Sequence, residues 1–190
     1  MAYENRSVKE AAGLNIVELD VAAETVEELL RGLLAVRLSS PERLANTEGT
    51  HGEVGHYDMD MLQRDVWLAS LDPGRHLLLA LDEVGAVLGY VDYIDAHPRE
   101  GVPYVGAVEV VADHRRQGVG RALVEAAASR LPPTAHALRA GMVTLHDQAA
   151  FFAAVGFRPT RADASATTAA SDDPAIWEVP LVTKSAEADC

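Results

Sequence analysis

The spacing of hydrophobic residues along this chain follows two periods, and each period predicts one type of element. Four stretches place apolar residues three or four positions apart, which is the spacing of one helix face: 22–38, 61–71, 119–131 and 146–155. Seven shorter runs are apolar or alternate apolar with polar residues, as strands do: 14–19, 76–81, 86–94, 105–111, 135–143, 157–161 and 176–183. This order of helices and strands predicts an α/β fold, with a mixed sheet of about six to seven strands and helices on both faces.

Turn-forming segments separate these elements and indicate one domain. Residues 82–85, Asp-Glu-Val-Gly, predict the tight turn of a hairpin between two strands. The chain has 190 residues, enough for one domain with a substantial core. We expect an N-terminal arm over residues 1–13, a single domain over 14–183 and a C-terminal tail over 184–190.

The segment that joins the strand at 105–111 to the helix at 119–131 is rich in glycine and arginine. It reads Arg115-Arg116-Gln117-Gly118-Val119-Gly120-Arg121. A helix start leaves about four backbone N–H groups without partners inside the helix, and these groups attract anions. Glycine lets an anion approach because it has no Cβ atom. The segment predicts a pyrophosphate site, and the alternative that the glycines serve only tight packing stays open.

Two better-known phosphate loops do not fit this segment. The pattern Gly-x-x-x-x-Gly-Lys-Ser/Thr is absent from the sequence, so there is no P-loop lysine. The dinucleotide fingerprint needs a third glycine near Leu123 and an acidic residue after the next strand, and the sequence has neither. An unrelated nucleotide-binding protein remains an alternative, in which ATP or NAD would compete for the site.

Charge and cysteine content exclude several classes of protein. The net charge of −13 argues against nucleic-acid binding, which needs a basic face, and agrees either with a cationic substrate or with solubility alone. No apolar run reaches the roughly 20 residues of a membrane span. Cys190 is the only cysteine, which excludes disulfides within the chain and Cys-rich zinc sites. We expect no metal site, no membrane partner and a cytoplasmic location.

Two motifs resemble those of a known family. Arg115-x-x-Gly118-x-Gly120 after an apolar strand resembles the acetyl-coenzyme A signature of the GNAT superfamily of N-acetyltransferases, Gln/Arg-x-x-Gly-x-Gly/Ala. Residues 149–157 resemble the family's later helix, which ends in an aromatic pair, three residues and Gly-Phe. The order of elements is also similar over residues 14–183. The resemblance implies a GNAT-like fold.

The resemblance implies an acetyl-CoA-dependent N-acetyltransferase. The acetyl group would pass to a primary amine of a small molecule, an amino acid or a peptide, by direct attack of the amine on the thioester. The residues implied to contact the cofactor lie on the central strand, the glycine-rich segment and the later helix: Val110, Val111, Arg115, Arg116, Gln117, Gly118, Val119, Gly120, Arg121 and Phe152. A homodimer is left open, because dimers are frequent in the family.

The attacking amine must first lose a proton. An alkylammonium with a pKa of about 10.4 is neutral to only about one part in a thousand at neutral pH. Glu109 is the leading candidate for the catalytic base, since it is a carboxylate in an apolar strand and family members often use a glutamate there. It shares a strand face with Ala107 and Val111, and if that face lies outside the cleft Glu109 is a surface or paired residue. The alternatives are a water relay, desolvation of the amine, or one of three other groups: Asp92, Tyr93 and His114.

One departure from the family pattern supports a second hypothesis. Phe152 stands where many family members have a tyrosine that protonates the leaving thiolate, and phenylalanine cannot do so. The chain is then, in the alternative, a non-catalytic acyl-CoA-binding regulatory module. The acceptor is not identified, but the family's acceptor region corresponds to a polar segment with five candidate contacts: His51, Glu53, His56, Asp58 and Asp60.

Overall fold

The structure is a computed structural model that describes residues 13–39, 59–95, 102–141, 146–160 and 176–181. Its strands are β1 (Asn15–Glu18), β2 (Arg75–Leu81), β3 (Val87–Ile94), β4 (Tyr104–Val110), β5 (Ala137–Gly141), β6 (Arg158–Pro159) and β7 (Ile176–Pro180). They form one sheet in the order β1-β2-β3-β4-β5-β7-β6. The pair β4–β5 is parallel, whereas β1–β2, β5–β7 and β6–β7 are antiparallel. The predicted fold class, a mixed sheet with helices, is confirmed.

The four predicted helices are present, and the first and second helices start at other residues than predicted. They are α1 (Val26–Leu38), α2 (Met59–Ser70), α3 (Val119–Arg130) and α4 (His146–Ala154), and a short 3-10 helix spans Ala112–His114. The prediction that α1 begins at residue 22 is wrong. Asp20 Oδ1 accepts a hydrogen bond from the backbone N–H of Ala22 at 2.9 Å, and Asp20 O accepts one from Ala23 at 3.2 Å. Such side-chain bonding favours a turn over helix, so α1 starts later.

The last strands are shorter than predicted. Ala135 donates its N–H to Pro132 O at 2.9 Å, and this turn delays β5 until Ala137. The predicted N-terminal arm up to residue 12, the C-terminal tail, and four of the five candidate acceptor contacts (residues 51, 53, 56 and 58) lie outside the described residues. The fifth, Asp60, is exposed in the first turn of α2.

The chain divides into two compact units, the first formed by Met1–Asp92 and Ala107–Ser129. Its hydrophobic core joins α1 and α2 to one face of the strands, through Leu30, Leu33, Val36, Leu62, Val66, Leu79 and Tyr90. Burial of each such aliphatic side chain contributes roughly 1.5–3 kcal/mol. Leu78 and Ala80 alternate with the core residue Leu79 and are also buried, so the opposite face of β2 is covered as well.

The second unit is formed by Tyr93–Gly106 and Arg130–Cys190. Its strands pair in a fixed register, with Tyr104 opposite Arg139 across β4 and β5 and Leu138 opposite Val179 across β5 and β7. Arg139 Nε donates to Glu178 Oε2 at 2.8 Å, which ties β5 to β7 on one face. This register fixes the start of β4, the strand whose other end enters the glycine-rich segment.

Candidate active site

The segment between β4 and α3 turns the backbone sharply at two positions. Arg116 has a φ of 64° and Gly118 a φ of 91°, both in the left-handed region. Left-handed residues spaced this closely point backbone N–H groups into one concavity, an arrangement that binds anions. α3 begins directly afterwards, at Val119, so the positive end of its dipole faces the same concavity.

The open space beside Gly118 distinguishes it from the packing glycines. A Cβ atom at Gly118 would meet none of the described atoms within 4 Å. At Gly32 and Gly89, by contrast, a Cβ atom would lie 2.5 Å from Val87 Cγ2 and from Glu109 O, respectively. Those two glycines permit close packing between elements. Gly118 serves the backbone turn and leaves room beside it, so tight packing does not account for this glycine.

Three exposed arginine side chains surround the turn: Arg115, Arg116 and Arg121. Arg115 Nε donates to Val110 O at 3.0 Å, which fastens the turn to the end of β4. Gln117 Nε2 donates to Asp113 O at 2.8 Å and fixes the other side. Arg121 NH1 lies 4.0 Å from Glu125 Oε1 along α3. The turn therefore carries positive charge in a protein whose net charge is −13.

Val110 and Val111 present their backbone groups in different directions. The N–H of Val111 donates to Leu88 O at 2.9 Å, so it is used within the sheet. Backbone groups of successive strand residues point to opposite edges, so those of Val110 face away from β3. Of the two central-strand residues implied to contact the cofactor, Val110 is the one whose backbone points to that second edge, where its carbonyl accepts the bond from Arg115.

Glu109 lies on the face of β4 that packs against α1 and α2. Its neighbours on this face, Ala107 and Val111, pack against the core cluster of the first unit. Both carboxylate oxygens of Glu109 are buried. The alternation of side chains along β4 left open that Glu109 lies on the surface, and the burial of its carboxylate excludes this.

Two of the other base candidates are held by the fold. Asp92 accepts two hydrogen bonds from Arg75, 3.0 Å from Nε and 2.6 Å from NH2. This bond to Asp92 raises the pKa of Arg75 despite partial desolvation, so the guanidinium stays charged. Tyr93 is 1% exposed. Asp92 is thus held in an ion pair, and Tyr93 is buried in β3.

His114, the third alternative, lies beside the glycine-rich turn. It belongs to the short 3-10 helix and is half-buried. With Gln117, Val119 and Glu83 it lines a cavity of about 290 Å³. The backbone N–H of His114 donates to Val111 O at 2.9 Å, which fixes the backbone just after β4.

Arg37 and Tyr90 face the same side of the sheet as Glu109, and the sequence pattern did not indicate either. The Arg37 guanidinium carbon lies 5.4 Å from the centre of the Tyr90 ring. Tyr90 is fully buried, and buried polar atoms include its Oη and Arg37 Nε. Only the pairing of distant segments brings these groups together, so hydrophobic periodicity could not have found them.

Phe152 belongs to the cap of α4 in the second unit. Phe157 N donates to Phe152 O at 2.9 Å and Gly156 N donates to Ala153 O at 3.1 Å. Gly156 has a φ of 98°, so these bonds form a Schellman motif. The segment from the aromatic pair to Gly-Phe is thus a helix cap.

The described residues contain neither a candidate metal cluster nor a helix that could span a membrane. Among these residues no group of three or more His, Cys, Asp or Glu side chains is arranged to hold a metal ion. None of the helices described is both long and apolar enough to span a membrane.

A family model matches more than half of the chain. It is the model of the acetyltransferase (GNAT) family, and it covers residues 42–157. The match includes β4, the glycine-rich turn, α3 and the cap of α4. No curated protein matches the sequence.

Solved structures share the fold along nearly the whole chain. An acetyltransferase from Thermus thermophilus is 22% identical with a TM-score of 0.67, and the match covers 90% of this chain and 98% of that one. The PaiA N-acetyltransferase from Thermoplasma acidophilum, in complex with coenzyme A, is 12% identical with a TM-score of 0.63, covering 89% and 99%. Tetrahymena GCN5 is 13% identical with a TM-score of 0.56, covering 88% and 96%. At these identities the likeness concerns the fold.

Proposed function

We propose that this chain, which belongs to the acetyltransferase (GNAT) family, transfers the acetyl group of acetyl-CoA to a primary amine of a small molecule, amino acid or peptide. Membership of the family implies acyl-CoA-dependent acetyl transfer. The choice of acetyl-CoA as donor, the primary amine as acceptor and the roles of individual residues are our proposal. A cytoplasmic location and a homodimer stay predictions from the sequence and the family resemblance.

The turn between β4 and α3 carries the proposal. Two left-handed residues, Arg116 and Gly118, precede the start of a 12-residue helix, and the space beside Gly118 is open. Backbone N–H groups and a helix dipole favour a pyrophosphate there, and the exposed Arg115 and Arg121 add charge. These residues fit coenzyme A, whose pyrophosphate they would hold. When bound, acetyl-CoA supplies the acetyl group as a thioester.

Glu109 would act on the acceptor. Deprotonating an alkylammonium costs roughly 4.6 kcal/mol at pH 7, given a pKa of about 10.4. A carboxylate at the end of β4 removes that proton directly or through one water, and general-base catalysis contributes about 10²–10⁴-fold. Its buried position on the α1 and α2 side supports this role. The neutral amine would then form a bond to the acetyl carbon as the carbon–sulfur bond breaks and coenzyme A departs as the thiolate.

The leaving sulfur needs less help than the amine. A thiol with a pKa near 8.5 costs only about 2 kcal/mol to expel as thiolate at neutral pH. Phe152 cannot protonate it, and in the structure this side chain packs within the cap of α4. The absence of a hydroxyl at this residue therefore affects the rate more than the possibility of transfer.

The same residue favours a second candidate, an acyl-CoA-binding module without turnover. Phe152 is 8% exposed and contacts two other phenylalanine rings. A chain that had lost catalysis but kept its fold would retain such packing. The two candidates share the turn and differ only in whether an amine becomes acetylated.

Thermal unfolding with acetyl-CoA, ATP and NAD tests the shared part of both candidates. At a ligand concentration about 100 times its Kd, binding adds about 2.7 kcal/mol of stability, which gives a clear rise in Tm. A rise with acetyl-CoA and none with the other two supports the site. No rise with acetyl-CoA contradicts both candidates. A panel of amines with labelled acetyl-CoA then separates them, because the module binds the cofactor without acetylating any amine.

A further inference from the structure

Charged and polar side chains collect on the α1 and α2 side of β2, β3 and β4. Arg75 and Asp92 form the ion pair between β2 and β3. Arg37 on α1 lies 3.9 Å from Asp65 on α2, measured from NH1 to Oδ2. Tyr90 and Glu109 add buried oxygen atoms from β3 and β4. A largely apolar layer between helices and sheet thus contains a polar cluster.

Tyr90 lies opposite Glu109 on neighbouring antiparallel strands. The bond from Val111 N to Leu88 O pairs those two residues. A Cβ atom at Gly89 would lie 3.2 Å from Val110 Cα, so the next pair along the strands is Gly89 with Val110. One further step pairs Tyr90 with Glu109, and residues paired across two strands point to the same face, with Cβ atoms about 4.5–5.5 Å apart.

Arg37 contacts the other side of this group, at the ring of Tyr90. Its guanidinium carbon lies 5.4 Å from the Tyr90 ring centre, within the range of a cation–π contact. The Arg37 side chain is only 16% exposed, so water screens its charge weakly. Tyr90 therefore contacts Arg37 of α1 and lies beside Glu109 of the neighbouring strand.

The described residues of this face include two cations and three carboxylates: Arg37, Arg75, Asp65, Asp92 and Glu109. Arg75 and Asp92 compensate each other in a two-bond ion pair. Arg37 lies 3.9 Å from Asp65 and contacts the ring of Tyr90, on the side of the sheet that also carries Glu109. Burying a carboxylate without a nearby cation is costly, so the position of Arg37 stabilises this arrangement.

We propose that Arg37 and Tyr90 are positioning residues for Glu109. Arg37 supplies the opposite charge and holds the Tyr90 ring, and the ring in turn fixes the side-chain direction of the Glu109 carboxylate on the neighbouring strand. This inference rests on the proposed function, in which Glu109 is the base. Arg37 and Tyr90 then affect the reaction only through Glu109.

Double-mutant cycles test this dependence in the full chain. Arg37→Met removes the charge but keeps a long apolar side chain, and Tyr90→Phe removes only the hydroxyl. We expect each variant to lower kcat by roughly tenfold and to leave the KM for acetyl-CoA within about twofold, with partial recovery in Arg37→Lys. In a Glu109→Gln background the same changes leave kcat within about twofold, because the residue they position is no longer a base.

Matched variants control for general damage. Arg31→Met removes an exposed arginine of the same helix, which pairs with Glu27 in the preceding turn. Tyr104→Phe removes a tyrosine hydroxyl at the start of β4, on the opposite face of that strand from Glu109. Both keep wild-type kcat if the proposal holds. An equal loss of kcat from Arg37→Met with and without Glu109 overturns the proposal.

The same double-mutant cycle can be measured by thermal unfolding, which requires no enzyme activity. We expect the double variant Arg37→Met with Glu109→Gln to lose less Tm than the sum of the two single losses, because each single change leaves the other charge buried. Strictly additive losses overturn the coupling even if the chain acetylates amines. If the losses of Tm are non-additive but the protein acetylates no amine, the coupling between Arg37 and Glu109 is supported and the proposed function is contradicted. Failure of the coupling and failure of the proposed function therefore give different results.

Discussion

The backbone N–H of Phe157 donates to Phe152 O at 2.9 Å while the two rings meet edge to face, with centroids 5.1 Å apart. These are the backbone bond and the hydrophobic contact of a Schellman cap, with Gly156 between them in the left-handed region. The spacing from the aromatic pair to Gly-Phe is therefore a requirement of the way α4 ends. The motif predicts a helix end as much as it predicts a family.

The two rings stabilise the second unit together. We expect Phe152→Ala and Phe157→Ala each to lower the free energy of unfolding by about 3–5 kcal/mol. Because the rings contact each other, the double variant loses about 0.5–1.5 kcal/mol less than the sum. Chemical denaturation of the four proteins measures this. An additive result would show that the edge-to-face contact contributes nothing beyond burial.

Gly118→Ala separates cofactor binding from backbone strain. Both Gly118 and Gly85 have φ near +90°, and a Cβ atom at either meets no described atom within 4 Å. We expect alanine at each position to destabilise the fold by a similar amount, roughly 1–2 kcal/mol. Only Gly118→Ala should weaken binding of acetyl-CoA, measured by calorimetry, because its Cβ occupies the open side of the turn. Equal affinities in the two variants would contradict the pyrophosphate site.

Gly89→Ala tests the close approach of β3 to β4. The added Cβ atom would lie 2.5 Å from Glu109 O, a backbone atom that cannot rotate away. The strands must separate, and overpacking of this kind costs about 1–3 kcal/mol. Gly74→Ala is the control, since its nearest contact is Asp72 Oδ1 at an ordinary 3.5 Å. Urea unfolding should show a loss for Gly89→Ala and a change within about 0.5 kcal/mol for the control.

The ion pair between Arg75 and Asp92 makes a prediction about pH. The pKa of Arg75 is raised in the folded protein, chiefly by its hydrogen bond to Asp92. A cation with a raised pKa contributes stability below its unfolded pKa and loses it only as the pH rises through the folded value. The stability lost in Arg75→Gln should therefore be the same at about pH 6 and about pH 9. A loss that fades between those values would contradict an ion pair that stays charged across this range.

Hydrophobic periodicity predicted the order of the elements because each strand and helix buries one face. It did not predict the start of α1, where the Asp20 side chain competes for the backbone. The glycine-rich turn was visible because its residues are contiguous. The pairing of Tyr90 with Glu109 and the position of Arg37 were not, since they depend on the register of β3 against β4 and on how α1 packs. Long-range geometry of this kind leaves no local pattern in the sequence.

Glu109→Gln tests the catalytic base. Glutamine has nearly the same shape but cannot accept a proton at neutral pH, so the amine must lose its proton to water. We expect kcat to fall by about 10²-fold or more, the KM for acetyl-CoA to stay similar, and the pH dependence of the rate to weaken. Glu125→Gln is the control, because it changes a glutamate of α3 whose side chain is 64% exposed. A wild-type pH profile in Glu109→Gln, with unchanged kcat, would remove Glu109 from the mechanism and leave deprotonation to a water relay or to desolvation of the amine.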